Sequence, residues 1–141
     1  MTVYAESSSV LRWLLDEARA DEIHGLLRGA TKVVCSRLTL VETRRVIRRA
    51  VAETLLDEVG GMAILEVLAR AAAGWAVLEV SRDVAERAEG SFPVEPVRTL
   101  DALHLASALL LRQALPDLRL LSSDDRVRAN GRRLGFEVVP A

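Results

Sequence analysis

Four carboxylates stand at matching points along this chain: Glu6, Glu42, Asp101 and Asp124. Glu6 closes the apolar run "TVYAE", and Glu42 lies in what reads as the first helical turn after "KVVCS". Asp101 lies in the first turn of the apolar stretch "TLDALHLASALLL", and Asp124 directly follows "LRLLS". Gathered carboxylates repel, and they raise one another's pKa unless a cation joins them. With no His or Cys in the set they are hard oxygen ligands, which suit Mg²⁺ or Mn²⁺. Such ions in an open pocket activate water and clamp phosphodiesters. Each acid also has a plain structural reading. Thr39 and Glu42 match a capping box. Thr99 can cap a helix whose dipole Asp101 then complements. Ser122 or Ser123 can cap the last helix, and Glu6 can be a turn residue before a serine cap.

What separates the two readings is the set of elements that carry the acids. Short β-branched runs at 2–6, 32–36, 76–80, 118–122 and 136–140 alternate with segments of helical period. Val10, Leu11, Leu14 and Leu15 mark the first helical face, and "DEIHGLLRG" continues as a second helix. Residues 39–73 read as two helices broken near Gly60-Gly61, 99–115 as one apolar helix, and 124–134 as a short helix ending at Gly135. "GSFPVEPV" (90–97) is loop-like. This alternation predicts an α/β fold with a parallel sheet covered on both faces and right-handed crossovers. In such a sheet the strand C-termini share one edge, where ligands bind at the switch in strand order. Glu6, Glu42 and Asp124 fall at that edge by construction, and Asp101 joins them if its helix starts there.

A length of 141 residues fits one domain, 1–141, able to bury its own core. Half the residues are hydrophobic and 4% aromatic, so Ala, Leu and Val must fill that core. The formal charge of −1 favours no class of partner. Its distribution is uneven: between Ala30 and Ala50, Lys32, Arg37, Arg44, Arg45, Arg48 and Arg49 face the single acid Glu42. Lone Cys35, in an apolar run, fits a reducing cytoplasm. Glu6 comes too early for a signal peptide, and 103–111 is too short to span a membrane.

Several other residues invite two readings. His104, one turn after Asp101, reads as a packed residue with one hydrogen bond rather than as a ligand. Arg44, Arg45, Arg48 and Arg49 form two i,i+4 pairs that either guide a phosphate backbone or make a solvated helix face. Arg98 is placed to contact phosphate or to pair with the acids. Trp13 and Trp75 read as core or dimer surface. The apolar helices around 60–75 and 103–115 carry more Ala, Leu and Val than one sheet face should need, which predicts a homodimer.

The blocks "VYAESSSVLRWLL", "SRLTLVETRRVI", "RTLDALHLASALLL" and "LLSSDDRVRANGRRLGFEVVP" resemble, in order, the four motif blocks of the PIN-domain ribonucleases. Within these the chain is most similar to the VapC-type toxins of toxin–antitoxin pairs. The resemblance implies a three-layer α/β/α sandwich with a five-stranded parallel sheet. It also implies Mg²⁺- or Mn²⁺-dependent endoribonuclease activity, a homodimer and a cognate antitoxin. Glu42, Asp101 and Asp124 fall on the family's acidic positions, and Ser8 and Ser122 on its hydroxyls. Glu6 departs from the pattern, since the family usually has Asp there, and Asp125 beside Asp124 is a second candidate for the last acid. Two rival readings share these residues. One is an RNA-processing nuclease without an antitoxin, the other a catalytically silent PIN-like module that binds RNA or protein.

Overall fold

The computed structural model describes residues 1–141. Its five strands are β1 (Thr2–Ala5), β2 (Lys32–Ser36), β3 (Ala76–Leu78), β4 (Arg119–Leu121) and β5 (Val138–Val139). All pair in parallel, in the order β3-β2-β1-β4-β5. The helices are α1 (Ser7–Leu14), α2 (Ala20–Gly29), α3 (Arg37–Ala52), α4 (Glu58–Ala72), α5 (Arg82–Ala88), α6 (Thr99–Ala114) and α7 (Asp125–Arg133). Parallel neighbours need long crossovers, and the helices supply them.

Period-two alternation in the strands builds the three layers. Val3, Ala5, Val33, Cys35, Leu121 and Val139 pack on one face with Val10, Ile23, Leu27, Leu40 and Leu68 from α1 to α4. Tyr4, Val34 and Leu120 point to the opposite face, against Ala102, Leu105 and Ala108 of α6, Val127 of α7 and Phe136. Fully buried strands explain why these runs are almost continuously apolar. The result is the α/β/α sandwich that the alternation of elements predicts.

Three local expectations change. The break between α3 and α4 falls at Glu53–Asp57 rather than at Gly60-Gly61. Asp57 caps α4 by accepting from Gly60 N (2.6 Å), so both glycines sit inside the first turn. Gly61 has another purpose: a Cβ there would collide with Val51, so its absence lets α4 approach α3. Second, α5 emerges at Arg82–Ala88, capped by Ser81 Oγ, which accepts from Val84 N (3.3 Å). Third, α6 is far less exposed than an interface helix: Ala102, His104, Leu105, Ala106, Ser107 and Ala108 are all buried against the sheet.

Close approach also governs α7. A Cβ on Gly131 would lie 2.5 Å from Leu120 Cδ2 and 3.1 Å from Val138 Cγ2. Leu120 is fully buried and has nowhere to move. Gly131→Ala should therefore cost about 1–3 kcal/mol by overpacking, read as a lower urea midpoint at unchanged m-value.

Candidate active site

Strand order sets the place of the site. The chain lays β2 and β3 on one side of β1, then returns to lay β4 and β5 on the other. The switch in strand order therefore falls between β1 and β4, and a crevice opens beyond their C-terminal ends. Glu6 follows β1 directly, and Ser122 to Asp124 follow β4. A right-handed crossover helix runs back antiparallel to the strands, so α6 starts at this edge and carries Asp101 in its first turn.

Asp101, Asp124, Asp125 and Arg98 line one open cavity of about 610 Å³, with Pro96, Val97, Ser123 and Arg126. The wall formed by the 90–98 loop is tied to α7. Asn130 accepts from Val94 N (2.9 Å) and donates to Val94 O (3.0 Å), while Arg126 donates to Pro96 O (3.0 Å). Glu6 and Glu42 are not among the lining residues; Glu6 is only 3% exposed and lies beneath. Both remain close enough to act on Asp101. Burial first, then the charges of Asp124, Glu6 and Glu42, push the Asp101 carboxyl up to about 6, against an opposing pull from His104.

Three of the four acids give one oxygen to the fold. Glu6 Oε2 caps α1 by accepting from Ser8 N (3.2 Å), and it also accepts from Ser8 Oγ and from Ser122 Oγ (2.8 Å). Ser8 Oγ accepts in turn from Ser123 N (2.9 Å), which locks the end of β1 to the end of β4. Asp124 Oδ1 caps α7 by accepting from Val127 N (2.9 Å). Glu42 Oε1 accepts from Ser7 Oγ (3.0 Å) and contacts His104 Nε2 at 2.5 Å. In each of these three acids the bonds to the fold fall on one oxygen and leave the second without a partner in the chain.

The assignment of caps differs from expectation in physical detail. Ser36 caps α3, three residues before Thr39, which places Glu42 in the second turn and outside any capping box. Thr39 Oγ1 instead donates to Ala5 O (2.9 Å), holding α3 against the end of β1. Asp124 itself, rather than Ser122 or Ser123, caps α7, and Arg98 stands at the α6 N-cap without a side-chain bond. No three His, Cys, Asp or Glu side chains stand close enough to enclose a metal ion as they are placed. Arg45, Arg48 and Arg49 are exposed on α3 and Arg44 is half-buried; none lines the acidic cavity.

Two participants escaped the sequence reading. Ser7, rather than only Ser8, reaches an acid; as the first residue of α1 it points across to α3. His104 makes more than the single bond expected of a packed histidine, meeting Tyr4, Ser7 and Glu42. Its i+3 spacing from Asp101 was the available signal.

The chain belongs to the PIN-domain family, whose model matches residues 3–133. Among characterised relatives it is similar to ribonuclease VapC46 of Mycobacterium tuberculosis, 34% identical over 137 residues, covering 97% of this chain and 95% of the relative. Ribonuclease VapC35 of the same species is 29% identical over 139 residues, with 97% and 95% covered. Solved structures share the fold. A toxin–antitoxin complex from Klebsiella pneumoniae matches at TM-score 0.65 and 19% identity, over 100% of this chain and 98% of that one. The VapC20 toxin of M. tuberculosis matches at TM-score 0.63 and 17% identity, over 96% of each chain.

Proposed function

We propose that residues 1–141 form one PIN domain acting as a metal-dependent endoribonuclease, the toxin of a toxin–antitoxin pair. One observation carries this reading: Asp101 and Asp124 share an open cavity at the switch point, where burial and the surrounding carboxylates raise Asp101's proton affinity. Such a site holds more negative charge than it can neutralise itself. The nature of the relatives, named as ribonucleases, agrees with that chemistry.

The donor set fits Mg²⁺ or Mn²⁺. A closed cage is not required, because Mg²⁺ keeps several waters and is held by one or two carboxylates plus phosphate oxygens. Asp101 and Asp124 would hold the ion, with Glu42 offering it a further oxygen, Oε2, and Glu6 contributing negative charge from the buried side. When bound, it supplies a Lewis acid that neutralises phosphate charge and lowers the pKa of water. The protein's own groups do the rest. Ser8 and Ser122 hold Glu6 in place, Asp125 adds charge at the mouth, and Arg98 meets a phosphate at the rim. Arg44, Arg45, Arg48 and Arg49 draw the RNA backbone toward the cavity from α3.

The direct test maps cleavage sites on total cellular RNA treated with purified protein and Mn²⁺, with EDTA and Asp101→Asn as controls. Discrete cuts that need Mn²⁺ and Asp101 support the reading; RNA binding without any cut would favour the silent module. The antitoxin and the homodimer belong to the same proposal, as does a cytoplasmic location. Val59, Met62 and Val67 leave α4 with exposed apolar surface, and no helix is long and apolar enough to cross a membrane. A monomeric mass by light scattering at micromolar concentration would count against the dimer.

A further inference from the structure

Beside the cavity lies a buried polar chain that a simple packed core does not need. Tyr4 and His104 are both fully buried, one on β1 and the other on α6. The Tyr4 hydroxyl lies 2.7 Å from His104 Nδ1. His104 Nε2 lies 2.5 Å from Glu42 Oε1 and 3.1 Å from Ser7 Oγ. Ser7 Oγ donates to the same Oε1 (3.0 Å). An imidazole offers one donor and one acceptor when neutral, and the partners decide which nitrogen is which. A carboxylate only accepts, so Nε2 carries the hydrogen, aimed at Glu42, and in the neutral ring Nδ1 then accepts from the Tyr4 hydroxyl. Two donors thereby converge on Oε1, while Oε2 has no partner in the chain.

We infer that His104 is a positioning residue for Glu42: Tyr4 holds the ring at Nδ1, and its Nε2–H anchors Oε1 so that Oε2 is the oxygen presented to a cation. This rests on the reading of Glu42 as part of the acidic site. An unbraced glutamate has three rotatable bonds and, half exposed on α3, would sample many positions. The brace removes that freedom before any ligand arrives. Metal sites depend on such outer partners, whose loss typically costs about 10- to 100-fold in affinity.

Glutamine and asparagine divide the histidine's two roles. A glutamine amide places N–H close to the Nε2 position, whereas asparagine reaches only as far as Nδ1. Binding of Mn²⁺, followed by the electron paramagnetic resonance of the free ion, reads the brace without relying on cleavage. His104→Gln should stay within about threefold of wild type, and His104→Asn should weaken binding about 10-fold or more, as should Glu42→Gln. Both histidine variants should lose thermal stability, since a buried network is disturbed in each. Should His104→Asn not fold, Tyr4→Phe decides: it keeps the tyrosine ring's shape and removes the bond that holds Nδ1, so the imidazole loses its second anchor and Mn²⁺ binding should weaken. Equal Mn²⁺ affinity in His104→Asn, or in Tyr4→Phe, with weakened binding in Glu42→Gln, would overturn the positioning role alone. Unchanged binding in Glu42→Gln would instead remove Glu42 from the site and take the inference with it.

Discussion

Asp101→Asn should abolish Mn²⁺-dependent RNA cleavage and, with metal removed, make the protein more stable at neutral pH. The two effects have one source. A bound cation contributes several kcal/mol of charge stabilisation, and each 1.36 kcal/mol is tenfold in rate, so the loss should be about 100-fold or more. Without metal the same carboxylate is a burden, because burial and neighbouring acids push it up to about 6 from an ordinary 3.8. The folded state therefore holds this proton more tightly than the unfolded chain does. Stability from the group is complete below the unfolded value and is lost as pH rises through about 6. Wild type in EDTA should accordingly weaken between pH 4 and 7, and Asp101→Asn should weaken less over that window. Asp101 is partly exposed, so the gain falls well below the full linkage value. Urea midpoints at pH 4.5 and pH 7, with and without Mn²⁺, measure all of this. A variant less stable than wild type at pH 7 in EDTA would contradict the crowded-charge description.

Glu6→Gln should lose cleavage too, but its stability should move the other way. Glu6 is almost wholly buried, and its Oε2 accepts from Ser8 N, Ser8 Oγ and Ser122 Oγ. A glutamine oxygen can replace Oε2, but its bonds to Ser8 and Ser122 then lose their charge assistance, and the amide N–H groups stand where Oε1 has no partner in the chain. Leaving such groups unpaired in a buried site costs about 1–3 kcal/mol. Removing one negative charge offsets part of this, but Oε2 makes three hydrogen bonds, so the local bonds decide the sign. Thermal melts of the two variants in EDTA should therefore diverge, Asp101→Asn upward and Glu6→Gln downward. Two shifts of the same sign would mean that Glu6 is held by charge balance rather than by its serines.

That divergence marks what the sequence could and could not reveal. The strands, their parallel arrangement and the edge that collects the acids were all legible, because fully buried strands announce themselves as short β-branched runs. The sequence places Asp101 there only on the condition that its helix starts at that edge, which the run of α6 antiparallel to the strands meets. The division of labour within each carboxylate was not legible, since it depends on which oxygen faces which neighbour across the β1–β4 seam. Glu42 shows the limit well. Thr39 and Glu42 have the spacing of a capping box, but Ser36 starts the helix earlier, and tertiary partners claim both side chains, Thr39 by β1 and Glu42 by α1 and α6. His104 shows the reverse case. An apolar stretch around a histidine suggests packing, and here the packing is what isolates a polar relay. Gly60 and Gly61 read as a helix break from composition alone, whereas a close approach of α4 to α3 explains Gly61.

The strand order also sets a sequence in time. During synthesis β1, β2 and β3 emerge first, and they can pair with one another on one side of β1. The opposite edge of β1, at Val3, Tyr4 and Ala5, finds its partners only at Arg119, Leu120 and Leu121. Until then Glu6 lacks Ser122, Glu42 lacks His104, and neither Asp101 nor Asp124 has a wall to face. A nascent chain that has completed α4 already carries half of its acids and no pocket at all. Joining the far ends of the chain at the centre of the sheet therefore delays the site until β4 and the start of α7 have been made. A ribosome making this protein holds a harmless fragment until the chain is nearly finished.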